Sequence, residues 1–269
     1  DFSKLESDKA DEILFIKGSS LVEAQKFDEA KTILNILLHS KTEDIKYLAK
    51  IWEAIIEHYQ DNFDKALEIL NELNGISEIK LKLRAKVQNL LSMLYFYKGE
   101  LSLSKSLCEE SLKIYLQINY PNEIAGILVN LGTINFNLGN VDEAYNNWKK
   151  ALEINSQIGN YTQNAVIQMN WGLTLIEKYQ FDDAIIKLNE SKKILRISNE
   201  FNLYYKNLIN LSEAFLYSSA YDNALKLIYE AKSYSEQINN IEEELYIMYI
   251  LGKFWFIIGD KEELKKIIS

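Results

Sequence analysis

The chain has 269 residues with one proline (Pro121), ten glycines, one cysteine (Cys108) and two histidines; 48% of it is hydrophobic and 26% charged. So few turn formers exclude an all-β sandwich or barrel, which needs a Gly/Pro-rich turn roughly every 8–12 residues. Lone Cys108 excludes an internal disulfide framework or CxxC zinc site, and a net charge of −9 disfavours binding to nucleic acid or anionic membrane, which takes clustered Lys and Arg.

Long helices are the expected content, and the chain repeats itself. In order, Phe27-Asp28-Glu29-Ala30, Phe63-Asp64-Lys65-Ala66, Val141-Asp142-Glu143-Ala144, Phe181-Asp182-Asp183-Ala184 and Tyr221-Asp222-Asn223-Ala224 share an aromatic or Val, then Asp, then Ala two positions on. Weaker copies stand at 101–104 and 261–264. Twelve positions before the end of each copy is a small residue: Gly18, Ala54, Ser92, Gly132, Gly172, Ser212 and Gly252. Successive copies are 36, 38, 40, 40, 40 and 40 residues apart. Apolar residues at i, i+3 and i+7 around the small residue, as in Leu208, Leu211 and Phe215, with Leu128 and Leu131 keeping the same spacing ahead of Asn135, predict a first helix.

A turn follows, with Gly99, Gly139 or Gly259 in three copies, and the motif Asp is expected to cap a second helix. Asn119, Gly159, Asn199 and Asn239 recur every 40 residues as its stop, because Asn and Gly tolerate the left-handed conformation. Pro121 follows the first of these stops. The small residue and the Ala twelve positions on let two antiparallel helices approach closely. Unit two strains the pattern: Lys50, Glu53 and Glu57 fall where apolar residues belong, so either its first helix is rotated or its turn is longer. The last unit keeps only Lys261 to Ser269 for its second helix.

Asn130-Leu131-Gly132, then Gly139-Asn140-Val141-Asp142-Glu143-Ala144, then Trp148 and Ala151-Leu152, resembles the tetratricopeptide repeat. That resemblance implies a right-handed all-α solenoid of about seven helical hairpins, a single array over 1–269 with units near 11–46, 47–84, 85–124, 125–164, 165–204, 205–244 and 245–269. The 40-residue period exceeds the usual 34 or so. It is similar to the arrays of bacterial signalling regulators such as the peptide-sensing Rap and PlcR types.

In such a fold the first helices line a groove. Two positions before the small residue stand Asn130, Asn170 and Asn210, whose amides suit the backbone of an extended peptide or, alternatively, a neighbouring helix. Phe15, Phe96, Tyr97, Phe136, Asn137, Met169, Tyr217 and Lys206 are further groove candidates; Lys86 and Lys253 also fall near it. The aromatics serve either as ligand pockets or as packing between units.

Chemistry is scarce. His39 and His58 form no HExxH, Cys108 reads as a buried apolar residue, and no GxGxxG, GxxxxGK[ST] or GxSxG occurs. No catalytic residue, metal or cofactor is expected. The expected partner is a peptide or protein segment, with no nucleic acid and no membrane. Self-association through the terminal repeats is the alternative. No apolar run approaches a membrane span, and the opening Asp-Phe-Ser-Lys lacks both Met and a signal core. A cytoplasmic segment of a longer regulatory protein is expected.

Overall fold

A helical hairpin forms wherever two amphipathic stretches flank a residue that can turn the chain left-handed, and this sequence supplies that arrangement throughout. The computed structural model describes residues 2–238 and 241–268, with side chains described for 9–236 and 244–267. All fourteen helices of the described residues are α: α1 (Phe2–Glu23), α2 (Phe27–Leu37), α3 (Glu43–Tyr59), α4 (Phe63–Asn74), α5 (Leu81–Tyr97), α6 (Leu101–Ile118), α7 (Pro121–Asn137), α8 (Val141–Gln157), α9 (Tyr161–Glu177), α10 (Phe181–Ser198), α11 (Phe201–Tyr217), α12 (Tyr221–Ile238), α13 (Ile241–Ile258) and α14 (Lys261–Ile268). The chain falls into two compact units, Asp1–Ala144 and Tyr145–Ser269.

The turn inside each hairpin is built on one left-handed residue. Gln25, Asp61, Gly99, Gly139, Tyr179, Ser219 and Gly259 all have φ between 57° and 85°, and they keep the spacing of the repeat. Only three are glycine, which is why the sequence shows this turn in three copies and the backbone shows it in seven. The second helices end as expected at Asn119, Gly159 and Asn199, with φ of 55°, 74° and 57°. Asn239 lies outside the described residues. Pro121 opens α7 at its first position, where a missing N–H is harmless.

One local expectation is corrected. The motif Asp does not cap: α2, α4 and α10 begin at Phe27, Phe63 and Phe181, which puts Asp28, Asp64 and Asp182 inside the first turn, and none of these helices has a side-chain cap bond. There the carboxylates act on the positive end of the helix dipole rather than on a particular N–H. Helix α14 is capped from the position before the motif, where Asp260 Oδ1 accepts from the N–H groups of Glu262 and Glu263 at 3.1 Å.

The small pairs make the hairpins close. Ser92 and Ser104 are fully buried, and each hydroxyl donates to the other's backbone carbonyl at 2.8 Å. At Gly172 an added Cβ would lie 2.6 Å from Leu188 Cγ, so α9 and α10 meet without room for a methyl group. Apolar side chains then fill the space between hairpins. In the first unit Val22, Ile33, Leu34, Leu37, Ile45, Ala49 and Ile56 form one core and Ile51, Ala54, Leu67, Leu70, Leu91 and Leu107 another, so α3 serves both. In the second unit Trp148 and Trp171 pack with ring centroids 4.9 Å apart, joining the body of α8 to α9.

Unit two keeps the ordinary register. Its turn, through Asp61, is as long as the others, and Glu57 occupies the core position with only 2% exposure. Lys31 and Lys65 donate to Glu57 Oε1 at 3.1 and 3.0 Å, and Asn62 donates to Oε2 at 2.8 Å. Asn135 in unit four sits at the same place and accepts from Asn140 at 3.4 Å. Burial alone would raise the Glu57 pKa; the hydrogen bonds from Lys65, Asn62 and Lys31 outweigh it and hold the carboxyl below the usual range.

Two stability predictions follow from this packing. Gly172→Ala is expected to cost about 1–3 kcal/mol by overpacking, whereas Gly252→Ala, whose Cβ would meet nothing closer than 3.8 Å, gains about 0.5–1 kcal/mol from helix propensity; thermal melts of both variants check the contrast. A depressed folded pKa means that the Glu57 contribution is present above the unfolded value near 4.3 and is lost as pH falls through the folded value. Glu57→Gln should therefore lower the melting midpoint at neutral pH and flatten its fall under acid titration relative to the parent chain.

Candidate functional site

The exposed face of the first helices is what remains after the cores are built. In the first unit α1, α3, α5 and α7 leave a groove of about 790 Å³. Its walls carry Phe15, Leu48, Trp52, Lys86, Asn89 and Asn130, and its ends Asp44, Lys80 and Glu123. Gly126 lines it too, and the space where its Cβ would stand is open to beyond 4 Å. Asn130 donates to Asn89 Oδ1 at 3.0 Å, which bridges α7 to α5 and leaves the Asn130 carbonyl oxygen and the Asn89 amino group for other partners. The groove lysines differ in their satisfaction. Lys80 is paired with Asp44, and Lys82 stands 4.3 Å over the Tyr120 ring. Lys86 rests 5.1 Å from the centroid of the Trp52 ring.

The sequence-predicted residues divide. Asn130 is in the groove. Asn170 and Asn210 occupy the equivalent place on α9 and α11 of the second unit, half-buried, and their side-chain amides bond no described residue. Asn137 is engaged with its own helix, donating to Thr133 O at 3.0 Å. Phe136 is 3% and Met169 8% exposed, so both belong to packing. Phe96 is half-buried, edge-on to Tyr97. Tyr97 and Tyr217 are the last residues of α5 and α11 and lie at the hairpin turns: Tyr97 stacks on His58 at 5.7 Å and Tyr217 on Phe181 at 5.5 Å. Their stacking joins successive hairpins. Lys206 is exposed, while Lys253 is taken up by Glu213 at 2.6 Å and by the Tyr217 ring.

Counting two positions before each small residue missed Asn89, which is three before Ser92, and Lys80, Lys82 and Gly126. A readable signal was present in Lys86 and Asn89, three apart on one helix face. Lys80 lies just before α5, where helical counting does not reach. Cys108 is buried against the Ile127 carbonyl, and burial pushes its thiol up to about 12, far from a reactive thiolate. Among the described residues no group of three or more His, Cys, Asp or Glu is placed to hold a metal, and no helix is long and apolar enough to cross a membrane.

The family model of the tetratricopeptide repeat matches residues 125–158. A kinesin light chain-related protein of Arabidopsis thaliana is 31% identical over 108 residues, 39% of this chain and 16% of that protein. Among solved structures, the STAND protein of Pyrococcus horikoshii with a tetratricopeptide repeat sensor superposes with a TM-score of 0.74 at 18% identity, over 97% of this chain and 40% of its own. A Rap protein complexed with competence and sporulation factor gives 0.72 at 14% identity, over 90% of this chain and 67% of its own. The matched stretch is thus about a sixth of the curated relative and two-fifths of the STAND protein. The chain thus carries a tetratricopeptide repeat at 125–158, and its hairpins share the fold of tetratricopeptide-repeat solenoids.

Proposed function

We propose that the chain is the recognition region of a larger bacterial regulatory protein and that it takes an extended peptide or partner segment along its first helices, without catalysis. The groove over α1, α3, α5 and α7 carries this reading. It spans about 790 Å³ and combines an apolar wall (Phe15, Leu48, Trp52) with amides at Asn89 and Asn130 that can meet a peptide backbone whatever its sequence. The Asn170 and Asn210 amides, free of described partners, offer the same chemistry in the second unit. Two structural relatives support it by what they are: a signalling protein whose repeats are a sensor, and a Rap protein complexed with a signalling factor.

Gly126 gives the sharpest test. Gly126→Leu adds a side chain to open space on an exposed helix face, so the groove fills while the fold gains helix propensity. It is expected to reduce capture of peptides from a random library by about tenfold or more, with an unchanged or higher melting midpoint; full retention by the folded variant would refute the groove reading. Asn170→Ala should weaken capture at unchanged stability.

A second reading, assembly through the terminal repeat, has its own observation. On α13, Leu245, Tyr249 and Phe256 are exposed, Phe256 by 73%. Sedimentation at two concentrations tests it: concentration-dependent association abolished by Phe256→Ser supports assembly, and a monomer throughout argues against it.

A further inference from the structure

Among the described residues two groove cations, Lys82 and Lys86, lack a carboxylate partner, and of the two only Lys86 is half-buried. Lys80 has Asp44, and exposed Lys82 has the Tyr120 ring and water. Lys86, half-buried on α5, has no carboxylate within ion-pair distance among the described residues and rests over an aromatic face. Burial pulls its pKa down, the like charge of Lys82 adds to that, and Glu123 and Glu23 oppose at longer range. Leaving an ammonium desolvated and unpaired is costly, and proteins rarely keep one without a use.

The surroundings of Lys86 are short of acceptors. The Trp52 indole N–H, on the ring that carries the ammonium, is buried with no acceptor among the described residues. The Asn89 amino group lies one turn along from Lys86 on α5, held in place because its carbonyl oxygen already accepts from Asn130. The Lys86 ammonium and the Asn89 amino group thus share one helix face in the groove, and together they call for an anionic acceptor. The lining residues range from Phe15 on α1 to Asn130 on α7, and α5 with Lys86 stands between those helices in chain order, so a segment laid across all of them passes this point. An internal acidic residue fits that geometry, where a chain end would stop short.

We infer that Lys86 is the subsite for an Asp or Glu side chain in the middle of the bound segment, with Asn89 as its hydrogen-bonding neighbour and Trp52 as the platform. This rests on the groove reading above. An acidic ligand also suits a chain whose own net charge is −9 only if a local basic site receives it; with Lys80 taken up by Asp44, Lys82 and Lys86 supply that charge against Glu123.

The test uses the whole chain, immobilised, and two random peptide libraries that are acetylated and amidated at their ends, one with Asp and Glu and one with Asn and Gln in their place. Preferential retention of the acidic library by about tenfold is expected, falling with added salt. Lys86→Met should erase the preference, Lys86→Arg should keep part of it, and Lys206→Met should leave it intact. Removing a desolvated charge should also raise the melting midpoint of unliganded Lys86→Met, so loss of folding does not confuse the result; a lowered midpoint would make Lys86 structural and overturn the inference. It is equally overturned, with the groove reading left standing, if both libraries are retained equally and lost together in Gly126→Leu, or if the preference survives in Lys86→Met. A preference seen only for peptides with a free C-terminal carboxylate would overturn the mid-chain assignment. Retention of neither library overturns both readings.

Discussion

A single helical hairpin cannot bury both apolar faces of its first helix, and this constraint organises everything else in the molecule. The first unit shows how it is met. Helix α3 gives Ile45, Ala49 and Ile56 to the core it shares with α1 and α2, and Ile51 and Ala54 to the core it shares with α4 and α5. Helix α3 is therefore packed on two sides by its neighbours and cannot be removed without opening two cores. Stability in such an array is a sum of nearest-neighbour terms rather than the property of one central core. The close pairs at Ser92/Ser104 and Gly172/Leu188 set how near the helices of a hairpin come, and hence whether those cores close at all.

The same constraint creates the groove. Once two sides of a first helix are buried, the strip left over faces outward beside the corresponding strips of its neighbours. In the first unit those strips carry Trp52, Lys86, Asn89 and Asn130, four side chains from three helices that share no sequence neighbourhood. Polar groups are affordable there for a physical reason: they need not be buried by the fold, so their hydrogen-bonding capacity is available to a partner. Two of the polar groups that the fold does bury at the equivalent place in their units come with partners built in. Glu57 has Lys31, Lys65 and Asn62, and Asn135 has Asn140.

Much of the fold was legible from local chemistry. The small residue and its partner twelve positions on, the stops at Asn119, Gly159 and Asn199, and the placement of Pro121 are all decided within one hairpin. The errors have a common cause in small displacements along the chain. Asp28, Asp64 and Asp182 stand one residue inside the helix rather than at its cap, a difference that composition does not register. The turns at Gln25, Asp61, Tyr179 and Ser219 take a left-handed residue without glycine, because the packing of the hairpin outweighs the roughly 1–2 kcal/mol that a side chain costs there.

The sequence by itself determined the helical content, the hairpin unit, its period and the positions of closest approach, because each depends on residues within about forty of one another and recurs often enough to be recognised. Only the tertiary structure decided which side chains share a surface. Phe136 and Met169 turned inward, Tyr97 and Tyr217 went to the stacking of successive turns, and Asn130 found Asn89 across 41 positions. Lys86 reads in sequence as one lysine among many. Its want of a counter-ion is a property of the space between helices, and that space exists only when the neighbouring hairpins are in place.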